Sequence, residues 1–158
     1  MDTLLQQLDV PFSFKRQSAP LPGDLRPAWR IALLLLVLQY SRRGKASLEK
    51  LHVLNWATRT EEHRVLLLRY GRGEARKDDL VPRIEPSLNR AIDLARGEGL
   101  VSMENGKRVS LTQKGRGAAR DIDEATGCLV AEKAFLREAK RFATEQNIRA
   151  LLTWSLTA

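Results

Sequence analysis

Residues 31–38 read Ile-Ala-Leu-Leu-Leu-Leu-Val-Leu, and this run constrains the fold of the 158-residue chain more than any other feature. At 3.6 residues per turn, eight consecutive apolar residues cover every face of a helix. Such a helix is stable only where other elements surround it, so the run predicts a central, buried helix over 26–40. Pro27 suits its first turn, where a missing N–H costs little. The run is far short of the roughly 20 residues that span a bilayer. Arg42, Arg43 and Lys45 follow near the negative helix end, and Gly44 is a stop signal.

Further elements follow from caps and periodicity. Ser47 reads as an N-cap for a helix of about ten residues carrying Leu48, Leu51, Val53, Leu54 and Trp56. Thr60-Glu61-Glu62-His63 opens a third helix that runs to Tyr70, and Gly71-Arg72-Gly73 breaks it before a charged loop to Pro82. Glu85 or Ser87 starts the next helix, whose Leu88, Ala91, Ile92 and Ala95 form an i, i+3, i+4, i+7 stripe. Leu100, Val101 and Met103 then alternate as a strand, Asn105-Gly106 is the type I′ turn pair, and Val109 and Leu111 supply the return strand. Thr112 can cap a helix from Gln113.

Helix, strand, Asn-Gly turn, strand, helix after two or three helices is the order of a winged-helix domain. The expected fold is mainly α with a small β-hairpin, a winged-helix domain plus a C-terminal helix; a generic α+β hairpin domain is the alternative. Residues 28–126 form the winged helix in this reading. Residues 1–27, with four of the six prolines, form a Pro-rich N-terminal docking arm. The extension 127–158 carries one long helix over 129–146, striped by Ala131, Phe135, Ala139 and Phe142, and an apolar end with Trp154.

The net charge is +8 at pH 7, and it is concentrated in the middle of the chain. Residues 26–60 hold seven Lys or Arg against one acid, and 81–120 hold eight against four. An excess so placed favours an anionic partner: nucleic acid, an acidic protein surface or anionic lipid. In a DNA-binding winged helix the helix before the hairpin enters the major groove. Here it offers Asn89 and Arg90 for base edges, but Asp93 and Glu98 would oppose phosphates. Phosphate-binding candidates are better placed around the hairpin, at Lys107, Arg108, Lys114 and Arg116. Arg42, Arg43 and Lys45 form a second basic cluster whose position relative to the first the sequence leaves open. Candidate partner-docking residues are the apolar Leu4, Leu5, Leu8, Phe12 and Phe14 of the arm and Phe135, Phe142 and Trp154 of the tail. Docking of the arm on its own domain is the simpler use of it.

The catalytic inventory is poor, and no enzyme activity is expected. His52 lies inside an apolar helix as a packing residue, and His63 belongs to a charged, solvated first turn. One cysteine cannot build a Cys/His zinc set or an internal disulfide. Cys128 reads as a small buried residue at a helix start, with a dipole-favoured thiolate as the alternative. No Walker-type phosphate loop and no Gly-x-Ser-x-Gly turn occurs. Asp78-Asp79 reads as a solvated loop. No cofactor or metal is expected. The start Met1-Asp2-Thr3-Leu4 lacks a signal-peptide pattern, and a cytoplasmic location without membrane contact is expected.

Residues 48–59, Leu-Glu-Lys-Leu-His-Val-Leu-Asn-Trp-Ala-Thr-Arg, resemble a segment of the middle components of bacterial ABC-three-component systems. The Lamassu-type anti-phage defence systems belong to that group. The resemblance continues through Arg-Ile-Glu-Pro-Ser-Leu-Asn-Arg-Ala-Ile at 83–92 and the hairpin from Gly99 to the Leu-Thr-Gln-Lys-Gly of 111–115, roughly residues 28–120 in all. It implies a non-catalytic accessory subunit, partnered by an SMC-like ATPase and an effector of the same operon, with DNA as a further partner. A free-standing winged-helix transcriptional regulator is the alternative.

Overall fold

The computed structural model describes residues 27–153. Its elements are α1 (Pro27–Gln39), β1 (Lys45–Ser47), α2 (Leu48–Thr58), α3 (Glu61–Gly71), α4 (Pro86–Gly97), β2 (Val101–Glu104), β3 (Arg108–Leu111), α5 (Gln113–Glu124), α6 (Val130–Ala139) and α7 (Glu145–Leu152). The protein is mainly helical with a small antiparallel sheet. Leu4, Leu5, Leu8, Phe12, Phe14 and Trp154 lie outside the described residues.

The all-round apolar run has the all-round burial it needs. Residues Leu33, Leu34, Leu35, Leu36, Val37 and Leu38 are each 3% exposed or less. Helix α1 packs against α2, α4, α5, α6, β1 and β3, so it is the axis around which the rest is arranged. Helix α4 places Leu88, Ala91, Ile92 and Ala95 inward, as its stripe requires. Ser47, Thr60, Thr112 and Thr144 each cap a helix by accepting a backbone N–H from three residues on.

Strands β2 and β3 form the expected hairpin. Asn105 and Gly106 have φ of +53° and +67°, the double left-handed turn that type I′ demands, and Lys107 N donates to Glu104 O at 3.0 Å. The sheet also holds a third strand. Strand β1 pairs antiparallel with β3, Ala46 opposite Val109, giving the order β1-β3-β2. Residues 42–45 were expected only to end the helix. Three residues carry no readable periodicity, and the strand exists because Arg43 and Gly44 both adopt positive φ (+59° and +67°) and reverse the chain onto β3.

The tail differs from the single helix expected over 129–146. Helix α6 stops at Ala139 and α7 begins after Thr144, whose hydroxyl accepts from Asn147 N, while Asn147 Nδ2 donates to Phe142 O at 2.6 Å. The apolar spacing of Ala139 and Phe142 therefore spans a helix–turn junction. Phe142 is half-buried, its ring over Gly71 at the end of α3, where a Cβ would lie 2.4 Å from the ring. Phe135 is 3% exposed and belongs to the core, so it is not free to dock a partner. Phe135, Leu136, Ile148 and Leu151 share one hydrophobic cluster with α1.

Candidate functional site

A tight turn, a strand edge and the chain between α6 and α7 enclose an open cleft of about 1060 Å³. Arg42, Arg43, Lys45, Lys50, Arg108 and Lys140 line it, with Glu145 as its acid. The positive-φ turn at Arg43 and Gly44 turns the two arginines outward beside β1. Antiparallel pairing of β1 with β3 sets Ser47 opposite Arg108 and so brings the hairpin's arginine to the same cleft. Arg116 Nη2 donates to Arg43 O at 3.1 Å and holds the turn against α5.

Two clusters that lie far apart in sequence thus meet: Arg42, Arg43 and Lys45 with Arg108 and, at the turn, Arg116. Lys45 is paired with Glu104 at 3.0 Å, but both side chains are well exposed and the pair is weak. Arg42, Arg43, Lys50, Arg108 and Lys140 form no ion pair among the described residues. With Glu145 offsetting only part of them, these charges add to one positive field over the cleft.

Lys50 and Lys140 were not singled out from the sequence. Lys50 had a readable signal, because with Val53, Leu54 and Ala57 it occupies the i, i+3, i+4, i+7 positions of the buried face of α2. It is 6% exposed. Burial pushes its pKa down, and the Glu145 carboxylate opposes that shift. Glu145 is itself engaged: Oε1 accepts from Ser47 N at 2.9 Å and Oε2 from Ser47 Oγ at 2.6 Å. That contact fastens α7 to the start of α2. Tyr40, also at the cleft, donates to Asp123 Oδ1 at 2.6 Å and accepts from Arg137 Nε at 3.2 Å, tying α1 to α5 and α6.

The remaining candidates lie elsewhere. Lys107 is exposed just after the hairpin turn and does not line the cleft. Lys114 donates from Nζ to Glu98 O at 2.8 Å, where it satisfies a carbonyl at the end of α4. Arg90 borders a separate shallow hollow with Arg30, Ser87 and Leu94. Asn89 is exposed on α4. No residue of α4 lines the cleft.

Three other expectations change. His63 is not freely solvated: its ring stacks on Trp56 with centroids 4.3 Å apart, and Nδ1 lies 3.1 Å from Trp56 O. Cys128 is exposed rather than buried, and Leu129 after it holds the cap position of α6 at φ +50°. Asp78 and Asp79 are exposed as expected, but in a short 3₁₀ turn. His52 is half-buried in α2; its Nδ1 is buried without a partner, and burial lowers its pKa.

Among the described residues no group of three or more His, Cys, Asp or Glu side chains could hold a metal ion, and no helix is long and apolar enough to cross a membrane. Fold and cleft together define a mainly helical protein with a small sheet and a strongly basic cavity. No protein-family model, curated protein or solved structure matches the chain.

Proposed function

We propose that this chain is a non-catalytic winged-helix subunit that holds nucleic acid by its phosphates. In this reading it is the accessory scaffold of an SMC-like ATPase and its effector in a cytoplasmic anti-phage defence complex. The observation that carries the nucleic-acid part is the cleft, where cations from the turn after α1, from α2, from β3 and from the end of α6 converge around a single lining acid, Glu145. The strand order β1-β3-β2, with helices between β1 and β2 and a basic hairpin closing the sheet, supports the winged-helix reading. The scaffold part rests on the resemblance of residues 48–59 and 83–115 to middle components of three-component systems. Sequence-specific regulation has less support, because α4 contributes nothing to the cleft and carries Asp93 and Glu98 beside Asn89 and Arg90.

The test uses the full chain, two duplexes of unrelated sequence and low salt. Equal affinity for both is expected, with a loss of about ten-fold or more in an Arg42→Ala, Arg43→Ala, Arg108→Ala triple variant. Strong preference for one duplex would replace this reading by the regulator. Co-expression with the neighbouring genes tests the scaffold: a stable complex with an ATPase is expected, and a chain that remains alone beside such an ATPase would remove that part.

A further inference from the structure

We propose that the floor of the basic cleft is a phosphomonoester site, with Lys50 as its innermost cation and Arg42, Arg43, Arg108 and Lys140 above it. This deepens the reading of the cleft as a phosphate-binding surface and rests on it. The ligand chemistry is a terminal phosphate dianion, carried by the end of a nucleic-acid strand or by a mononucleotide.

The starting point is an unusual lysine. Lys50 is 6% exposed, lines the cleft, and also lines a small hollow beneath it with Val37, Leu54 and Leu136. Its ammonium makes no hydrogen bond or ion pair among the described residues. Among the described residues its Nζ is not one of the buried polar atoms that lack a partner, so the stem is buried while the ammonium opens onto the cleft. Glu145 acts on Lys50 through its charge but forms no ion pair with it, and its oxygens accept from Ser47 N and Ser47 Oγ. The ammonium is thus presented to the cleft with its donors free for an anionic ligand.

Shape and charge narrow the ligand. Phosphodiesters of a duplex lie along a convex ridge and are met by exposed side chains such as Arg42 and Arg108. A lysine at the floor of a cleft is met by a slender anion that enters end-on. A phosphomonoester carries about −1.5 to −2 at pH 7, against −1 for an internal diester, and so better matches several unpaired cations. The open cleft, about 1060 Å³, leaves room above the phosphate for an attached nucleoside or strand.

The experiment measures binding of short single-stranded oligothymidines to the full chain by fluorescence anisotropy. One carries a 5′-phosphate, one a 3′-phosphate and one neither. A terminal phosphate is expected to tighten binding about ten-fold. In Lys50→Met, which keeps the packed stem, that preference disappears while binding of the unphosphorylated strand is retained. Competition with AMP and with inorganic phosphate separates the sources: displacement by AMP at concentrations far below those of phosphate assigns a mononucleotide, and displacement by neither assigns a strand end. Equal affinity for all three strands on the wild-type chain overturns the proposal, whatever the variant does, and leaves general phosphate binding standing. Absence of duplex binding together with Lys50-dependent binding of AMP would instead remove the nucleic-acid reading and keep this site.

Discussion

Gly115 offers a sharp test of how the hairpin is held to the helix that follows it. It is buried in the first turn of α5, and a Cβ built on it would lie 1.9 Å from Leu100 O and 2.9 Å from the Leu100 carbonyl carbon. Those are backbone atoms and cannot swing aside as a flexible side chain can. Leu100 O also accepts from Thr112 N at 3.0 Å, and Thr112 Oγ1 donates to Gly99 O at 2.6 Å. Gly115→Ala must therefore push α5 away from the strand start by more than about 1 Å and loosen these bonds. Overpacking costs about 1–3 kcal/mol and a weakened hydrogen bond about 1 kcal/mol, while alanine returns up to about 1 kcal/mol in helix propensity. The net loss is about 2 kcal/mol, a fall in Tm of about 4–8 °C for a chain of this size. Gly117, in the same helix, has nothing within 4 Å of its Cβ position. Gly117→Ala should leave stability unchanged or raise it by up to about 1 kcal/mol. Both variants are compared by thermal and urea unfolding followed by circular dichroism. Gly115→Ala as stable as Gly117→Ala would refute the close approach of α5 to Leu100.

Other expectations concern titrating and hydrogen-bonded groups. Burial lowers the His52 pKa below its ordinary 6.5, against the opposing pull of Asn89, Glu85 and Glu49, so the unfolded chain takes up the proton first. Stability present above pH 6.5 is lost as pH falls from there through the lowered native value, and urea midpoints should show His52→Gln with a flatter profile in that window; superimposable profiles would refute this. Lys50 carries its cost at neutral pH, and the cost lifts as pH rises through its lowered native pKa toward 10.5. Lys50→Met should accordingly unfold at the same or a higher urea concentration at pH 7, and a clear loss would show that the ammonium is compensated within the protein. Tyr40→Phe removes the bond to Asp123 and should cost about 1–2 kcal/mol, read as a lower unfolding midpoint; a neutral result would mean that this contact does not hold α1 to α5.

The parts of the fold that the sequence declared were those with strong local signals. The apolar run 31–38, the caps Ser47, Thr60 and Thr112, the α4 stripe and Asn105-Gly106 each contain their own structural instruction. What escaped was set by tertiary context. Strand β1 is three residues long and exists through pairing with β3. The break between α6 and α7 is placed by Thr144 and by Phe142 seating over Gly71, 71 residues earlier in the chain. The cleft was half legible: its arginines were visible as two clusters, but only the sheet register and the Arg43–Gly44 turn bring them together. The stripe signal at Lys50 was masked for another reason. Charge on a helix usually marks the solvated face, and here a lysine occupies the buried one.

The most direct test of the central claim is the salt dependence of duplex binding by the full chain. Affinity is measured by anisotropy from about 50 to 200 mM monovalent salt, where each neutralised phosphate contributes about −0.9 to the slope of log K against log salt. A slope of about −3 to −5 is expected, reduced by about 2 in the Arg42→Ala, Arg108→Ala variant. No measurable binding at the lowest salt, or a variant that keeps the wild-type affinity and slope, would contradict a phosphate-gripping cleft.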